Sequence, residues 1–586
     1  MAEHSAPSGA PGQRWSVIGW RFSAILVIAV LGIAGTITYR QLVAARELRG
    51  TVVDDYTGKP IAGASVVAGL SHSVTDSRGA FHVSPDVTTI RVAATGYDAT
   101  ALTLSSDTAP LAIRLRPNFV RGIVLNGTTH QPVPDATVAV RGADATAVKT
   151  DGAGRYLLTG VPPDATLTVE AAGFAGSFVD PGTREQLDVD LRPDVLSGTV
   201  RDPQGDPVAG ALVALGSATT TTGSDGRYRL DGVPATGTVV FKAPGFQVAT
   251  APLESSMRLD ATLHEFTVRA IYADPAMVAQ PSALNSLEEL IARTELNAVV
   301  IDVKDGTGQV YYDTSVPLAQ QIGAVHPAFD PRQLIATLHQ RGIYVIARIA
   351  VFDDPILAAQ RPDWAIHTAG GAVWLGWNGR PWLNPYRREV WDYDTALATE
   401  ASRLGFDEVQ LDAVQFPTDG LLDQVDYGAA NSAVAREAAI RGFLTQVHAA
   451  LASTTTSLST DVSEQALWEL GGGGLGQRLE DIAGAVDYVC PTLYPADFPS
   501  GTLGYAVPND HPFEVVLWSL QAGAGRIPGD AAKLRPWLQD FSQGPGMSYG
   551  DNEVRREIQG AEDSGASGWM LWNPASDYHS GALQPT

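Results

Sequence analysis

The chain has a single cysteine, Cys490, among 586 residues, so no disulfide can form within it. Each folded part must be held by its own core. Positive charge is also scarce. Lys and Arg number 40 against 64 Asp and Glu, a formal net charge of -24. A nucleic-acid backbone is therefore not an expected partner. After Phe266 there is no His-x-His or His-x-x-x-His pair, and a metal-dependent hydrolase needs clustered His ligands. No metal or other cofactor is expected. The run Gly471–Gly476 matches a dinucleotide glycine pattern only formally, because no strand leads tightly into a helix there.

Long apolar runs are nearly absent as well. One stretch qualifies, the eighteen uncharged residues Phe22–Tyr39. That length can span a bilayer. Arg14 and Arg21 precede it and Arg40, Arg46 and Arg49 follow, so the flanking charge does not orient it. A buried helix and a cleaved signal peptide are the alternatives, but no small-residue cleavage site stands close behind the run. The expectation is a signal anchor at residues 22–39 behind a disordered cytoplasmic tail, 1–21. The protein would then sit in the cell membrane as a single-pass protein, with its later domains outside the cytoplasm.

Three repeats follow, with a period of about seventy residues. Each opens with a strand that carries a glycine (Gly50, Gly122, Gly198), then a Pro-containing turn and a second strand. Each has a Gly turn before an aromatic (Phe81, Tyr156, Tyr228) and a late Gly-aromatic pair (Gly96-Tyr97, Gly173-Phe174, Gly245-Phe246). Short strands with Gly and Pro turns and no helical period predict small all-β sandwiches, bounded here at 47–117, 118–193 and 194–263. The pattern resembles the carboxypeptidase regulatory-like family, whose modules are transthyretin-like sandwiches. The resemblance implies no catalytic role, and a spacer role is the expectation.

From residue 264 to 586, strand and helix signals alternate, the signature of βα units. The expected strands are Phe266–Tyr272, Ala298–Val303, Ile343–Ala350, Phe406–Leu411, Ser457–Val462, Asp487–Pro491, Pro536–Phe541 and Gly568–Trp572. Seven helical stretches lie between them. Eight strands in about three hundred residues fit a (β/α)8 barrel, in which reacting groups sit at the C-terminal ends of the strands. The fourth strand shows the logic. Glu408, Gln410 and Asp412 share one parity, and Val409 and Leu411 the other. A polar parity on a buried strand must face the lumen, and Asp412 lies at its open end.

Polar residues gather at most of the other strand ends too: Asp302, Lys304 and Asp305, Arg348 followed by Asp353 and Asp354, Asp461 with Glu464 behind it, Tyr494 and Asp497, Gln539 and Asp540, and Trp572 with Asn573. Carboxylates beside Trp and Tyr suggest sugar chemistry. One carboxyl protonates the leaving oxygen, a second attacks or activates water, and aromatic rings carry the sugar faces. Trp374, Trp377, Trp382, Tyr494, Trp569 and Trp572 are the candidate platforms, those of the polar, Gly-rich loop Trp374–Trp382 above all.

The blocks Ile301–Asp305, Ala347–Phe352, Trp382–Tyr386, Gly405–Pro417, Cys490–Pro495, Arg535–Phe541 and Gly568–Tyr578 resemble, in order, the putative glycosyl hydrolase barrel family. The chain has Ala413 and Gln415 where the family pattern has Tyr and Arg, and Asp497 within a segment where it has Ser-His-Tyr. Positional analogy with α-amylase-like barrels makes Asp412 the nucleophile or stabiliser, Asp461 the general acid and Asp540 the third carboxylate; Glu464 is an alternative acid. Asp302, Lys304, Arg348, Trp382, Glu464, Tyr494, Gln539, Trp572 and Asn573 are the expected carbohydrate-binding residues. Glu408 and Gln410 are expected to form a lumen layer. Two functions remain open: a membrane-anchored glycoside hydrolase, or a polysaccharide-binding protein that keeps the barrel without its chemistry.

Overall fold

The computed structural model describes residues 47–84, 88–104, 110–429, 431–470, 472–543 and 548–586. The expected anchor at 22–39 lies outside them, and among the described residues no helix is long and apolar enough to cross a membrane.

Three β-sandwiches of one topology come first. In each, the opening strand (Leu48–Asp54, Phe119–Asn126, Val195–Arg201) is the middle of a three-stranded sheet, between the fourth and seventh strands of the repeat. The second strand (Ser65–Ala68, Thr137–Val140, Leu212–Leu215) lies in a four-stranded sheet of order 3-2-5-6. The glycine of the opening strand has a steric cause. A Cβ on Gly122 would fall 1.8 Å from Leu187 O, and one on Gly198 would fall 1.7 Å from Leu259 O, because the seventh strand runs against the first there. A buried threonine staples the second strand in all three copies. Thr75 Oγ1 donates to Ile61 O at 2.7 Å and accepts from Ala64 N at 2.8 Å. Thr150 and Thr222 repeat both bonds.

The third sandwich belongs to the same compact unit as the barrel, which begins at Asp194. The buried Lys242 Nζ donates to Leu451 O at 3.0 Å and Thr456 O at 2.5 Å, and Gly245 N donates to the Tyr488 hydroxyl at 3.1 Å. Leu451 closes the helix Ala433–Leu451, so the ammonium meets the negative end of a helix dipole.

Eight parallel strands close the barrel in chain order: strand 1 Val268–Ala273, strand 2 Ala298–Lys304, strand 3 Tyr344–Ala350, strand 4 Glu408–Asp412, strand 5 Ser457–Ser463, strand 6 Tyr488–Leu493, strand 7 Trp537–Gln539 and strand 8 Gly568–Trp572. Strand 7 is the shortest, consistent with Pro536 at its start. Val409 and Leu411 pack outward in the large apolar cluster between strands and helices. Glu408 and Gln410 turn inward. Glu408 pairs with Arg535 and accepts from Ser459 Oγ at 2.5 Å, while Gln410 Nε2 reaches Met570 Sδ at 3.4 Å. This lower plug fills the lumen and leaves the next layer up, at the strand C-termini, as the place where side chains meet solvent.

Candidate functional site

Arg348 is the centre of that upper layer. It comes from strand 3, pairs in register with Asp302 on strand 2, and reaches three carboxylates. Nη2 lies 2.7 Å from Asp412 Oδ2, Nε 3.0 Å from Asp461 Oδ2 and Nη1 3.2 Å from Asp302 Oδ1. Sharing one guanidinium keeps Asp412 and Asp461 close to each other. Other strands complete the layer. Trp537 Nε1 donates to Asp461 Oδ1 at 2.9 Å, and the Tyr272 hydroxyl donates to Asp302 Oδ2 at 2.9 Å. The Arg348 guanidinium lies 5.2 Å from the Trp572 ring centroid, and Trp572 packs on Tyr272 with ring centroids 4.2 Å apart and the planes tilted by 36°. Tyr494 follows strand 6 and feels the charges of Arg348, Asp461 and Asp412.

The three carboxylates are not equivalent. The Asp412 side chain is 30% exposed, whereas those of Asp461 and Asp302 are 3% and 7% exposed, with both oxygens of each hydrogen-bonded. One cation cannot neutralise three carboxylates, two of them buried. Burial pushes Asp461 up to about 7; Arg348 opposes this and the charge of Asp412 adds to it. Burial also raises Asp302.

Several expected site residues lie elsewhere. Asp540 is outside the Arg348 layer. Trp537 and Gln539 of strand 7 face inward, so Asp540 turns outward, where it pairs with the His579 ring and accepts from His579 N at 3.1 Å. Lys304 is fully buried between Asp354 and Asp394, 2.9 Å from each, and donates to Ala350 O. A register shift between Asp302 and Lys304 adds one residue to strand 2 and reverses the alternation, so Lys304 points away from the lumen. Trp382 is buried in the outer apolar cluster. In its loop Trp377 is the exposed ring, at 70%, on the tip of a hairpin. Gln539 has its amide in use: Oε1 accepts from Ala496 N at 3.0 Å and Nε2 donates to Phe541 O at 2.8 Å. Asn573 pins the C-terminal loop through Asp577 O and Ala575 N. Glu464 is half-buried at the rim and accepts from Ser463 Oγ at 2.9 Å; burial raises its carboxyl.

Tyr272 and Trp537 join the layer without standing out in the sequence as site residues. The signal for Trp537 was its parity with Gln539; that for Tyr272 was its place at the end of strand 1. Ala413, directly after Asp412, has φ +53°, a left-handed conformation that an alanine adopts only under constraint. Gln415 accepts from Gln477 Nε2 at 3.4 Å, and Asp497 from Gln543 Nε2 at 3.0 Å.

Comparison with known proteins follows the same division of the chain. The family profile described as "Carboxypeptidase regulatory-like domain" matches residues 47–116, 120–192 and 195–269. Among solved structures, a hypothetical protein from Ruminiclostridium thermocellum is 30% identical, covers 32% of this chain and 96% of its own, and has a TM-score of 0.30. The PgaB (BpsB) glycoside hydrolase domain from Bordetella bronchiseptica is 14% identical over 54% of this chain and 99% of its own, with a TM-score of 0.40. The catalytic domain of beta-amylase from Paenibacillus polymyxa is 10% identical over 55% of this chain and 95% of its own, with a TM-score of 0.37. No curated protein matches. The profile described as "Putative glycosyl hydrolase domain" matches residues 270–578, more than half of the sequence, and the chain belongs to that family.

Proposed function

We propose that the barrel is a glycoside hydrolase acting on an oligo- or polysaccharide, with Asp412 as the carboxylate that faces the anomeric carbon. The observation that carries this reading is the convergence of Asp302, Asp412 and Asp461 on Arg348, with Asp412 alone of the three open to solvent. An oxocarbenium-like transition state gains positive charge, and a site with more carboxylates than cations favours it. Asp412 then attacks the anomeric carbon or steadies the charge there. Arg348 fixes its orientation, and Asp461 and Asp302 fix Arg348. Trp572 beside the cluster and Trp377 at the mouth offer flat apolar faces to sugar rings.

A second reading, glycan binding without cleavage, is favoured by one observation: Asp461 and Asp302 have both oxygens committed to protein donors. Incubation of the purified protein with a panel of polysaccharides, read by release of reducing ends, separates the two. Release supports the hydrolase, and retention of a glycan without release supports the binder. We also propose that residues 22–39 anchor the chain in the membrane, with the sandwiches and barrel outside the cytoplasm. The support is the length of the apolar run. Protease digestion of intact cells tests this: the barrel is expected to be accessible, and protection would contradict the proposal.

A further inference from the structure

A hydrolase built on Asp412 needs a second carboxyl that can present a proton to the leaving oxygen. Asp461 fails that requirement on geometry, because its side chain is 3% exposed and its two oxygens accept from Arg348 Nε and Trp537 Nε1. Asp302 is closed off in the same way by Arg348 and Tyr272. Asp353 is placed differently. It follows strand 3, the neighbour of strand 4, where Val351 N donates to Asp412 O at 2.9 Å. The two consecutive acids Asp353 and Asp354 turn opposite ways. Asp354 is fully buried, caps the helix Pro355–Gln360 through Leu357 N and meets Lys304. Asp353 stays at the rim with its side chain 21% exposed.

Two walls hold it there. Arg380 Nη2, from the hairpin that carries Trp377, donates to Asp353 Oδ1 at 3.2 Å. On the other side a Cβ on Gly306 would stand 3.4 Å from Asp353 Oδ2, so the loop after strand 2 presses close without a side chain. Phe352 N, next to Asp353, donates to Ala413 O at 3.4 Å, so the segment carrying Asp353 runs beside the end of strand 4. Glu464, the other rim carboxyl, feels Asp497 and Glu469.

We propose that Asp353 is the general acid of this site, working with Asp412 from the neighbouring strand end and oriented by Arg380. The assignment rests on the glycoside hydrolase reading. The Asp353 proton passes to the glycosidic oxygen as the bond from anomeric carbon to oxygen breaks, and the bonding electron pair stays on that oxygen. Water supplies the new hydroxyl at the anomeric carbon, and its remaining proton returns the Asp353–Asp412 pair to its starting charge. Burial pushes the Asp353 carboxyl up to about 6, against Arg380 and with Asp412, which suits a group that carries a proton in weak acid.

The test uses the whole protein and a panel of glucosides, galactosides and N-acetylglucosaminides in both anomers, each with a phenyl and a 2,4-dinitrophenyl leaving group. Dinitrophenolate leaves without a proton and phenol does not. Asp353→Asn is expected to lose about 10²-fold or more on the phenyl glycosides, to stay within about tenfold on the dinitrophenyl ones, and to lose the alkaline limb of the pH profile. Asp412→Asn is expected to lose both classes. Equal loss on both classes for Asp353→Asn, no loss on either, or the same leaving-group split in Glu464→Gln instead would overturn the acid assignment and leave the hydrolase reading standing. A wild type that cleaves neither the panel nor any polysaccharide overturns both. Thermal melts of the isosteric Asn variant separate a folding defect from a chemical one; a melt matching the wild type together with the leaving-group split supports the assignment.

Discussion

The guanidinium of Arg348 lies 2.7 Å from Asp412 Oδ2 and, through its other nitrogens, also holds Asp461 and Asp302. A single cation on strand 3 thus organises carboxylates from strands 2, 4 and 5. Arg348→Met would leave three carboxylates crowded together with no counter-charge. The expected loss of stability is about 3–5 kcal/mol, read by urea denaturation. The loss should be smaller at pH 5 than at pH 8, because protonation relieves the repulsion. Arg348→Lys cannot span three partners from one point charge and should recover only part of it.

Asp461 gives a pH signature. Its ordinary value is about 3.9, and burial raises it to about 7 in the folded protein. Between those values the native state holds a proton that the unfolded chain has released. Stability therefore falls as pH rises through that window, by at most about 1.4 kcal/mol per pH unit for this one group, and this contribution is level on either side. Asp461→Asn should flatten that part of the stability profile. An unchanged slope in the variant would contradict the raised value.

The strand period made most of the barrel readable in advance, since most of the strands show an apolar parity outward or are apolar throughout. It also picked out Asp302, Arg348, Asp412 and Asp461, which converge because the ends of neighbouring strands converge. Errors came where local geometry breaks the period. The register shift at Asp302 and Lys304 cannot be seen in Ile301-Asp302-Val303-Lys304. Asp540 was assigned by analogy with other barrels, although its parity opposes that of Trp537 and Gln539. Trp382 was read from the polarity of its loop, yet hairpin bridges such as Ala365 to Leu383 fold that loop over an apolar base. The pairing of Asp353 with Arg380 spans 27 positions and has no period to reveal it.

Lys242 ties the third sandwich to the barrel. Lys242→Met removes the donor from Leu451 O and Thr456 O in a buried contact. A loss of about 1–3 kcal/mol is expected for the unit from Asp194 onward. A barrel fragment starting at residue 264 should melt below one starting at 194. Equal melting would show that the contact adds nothing to barrel stability.

The left-handed turn at Ala413 gives a further contrast. Ala413→Gly relieves a conformation that costs an alanine about 1 kcal/mol, offset in part by the flexibility glycine adds to the unfolded chain. The net change should stay within about 1 kcal/mol of zero. Ala413→Val should lose more than about 1 kcal/mol, since a β-branched residue tolerates positive φ poorly. Chemical denaturation of the pair checks the sign.

The most direct measurement is reducing-end release from a polysaccharide panel by the purified wild type and by Asp412→Asn, a substitution that keeps the size of the side chain and removes its charge. The account predicts release by the wild type and a loss of at least about 10³-fold in the variant, with glycan retention unchanged. Undiminished release by Asp412→Asn, or no release by the wild type on any glycan it binds, would contradict it.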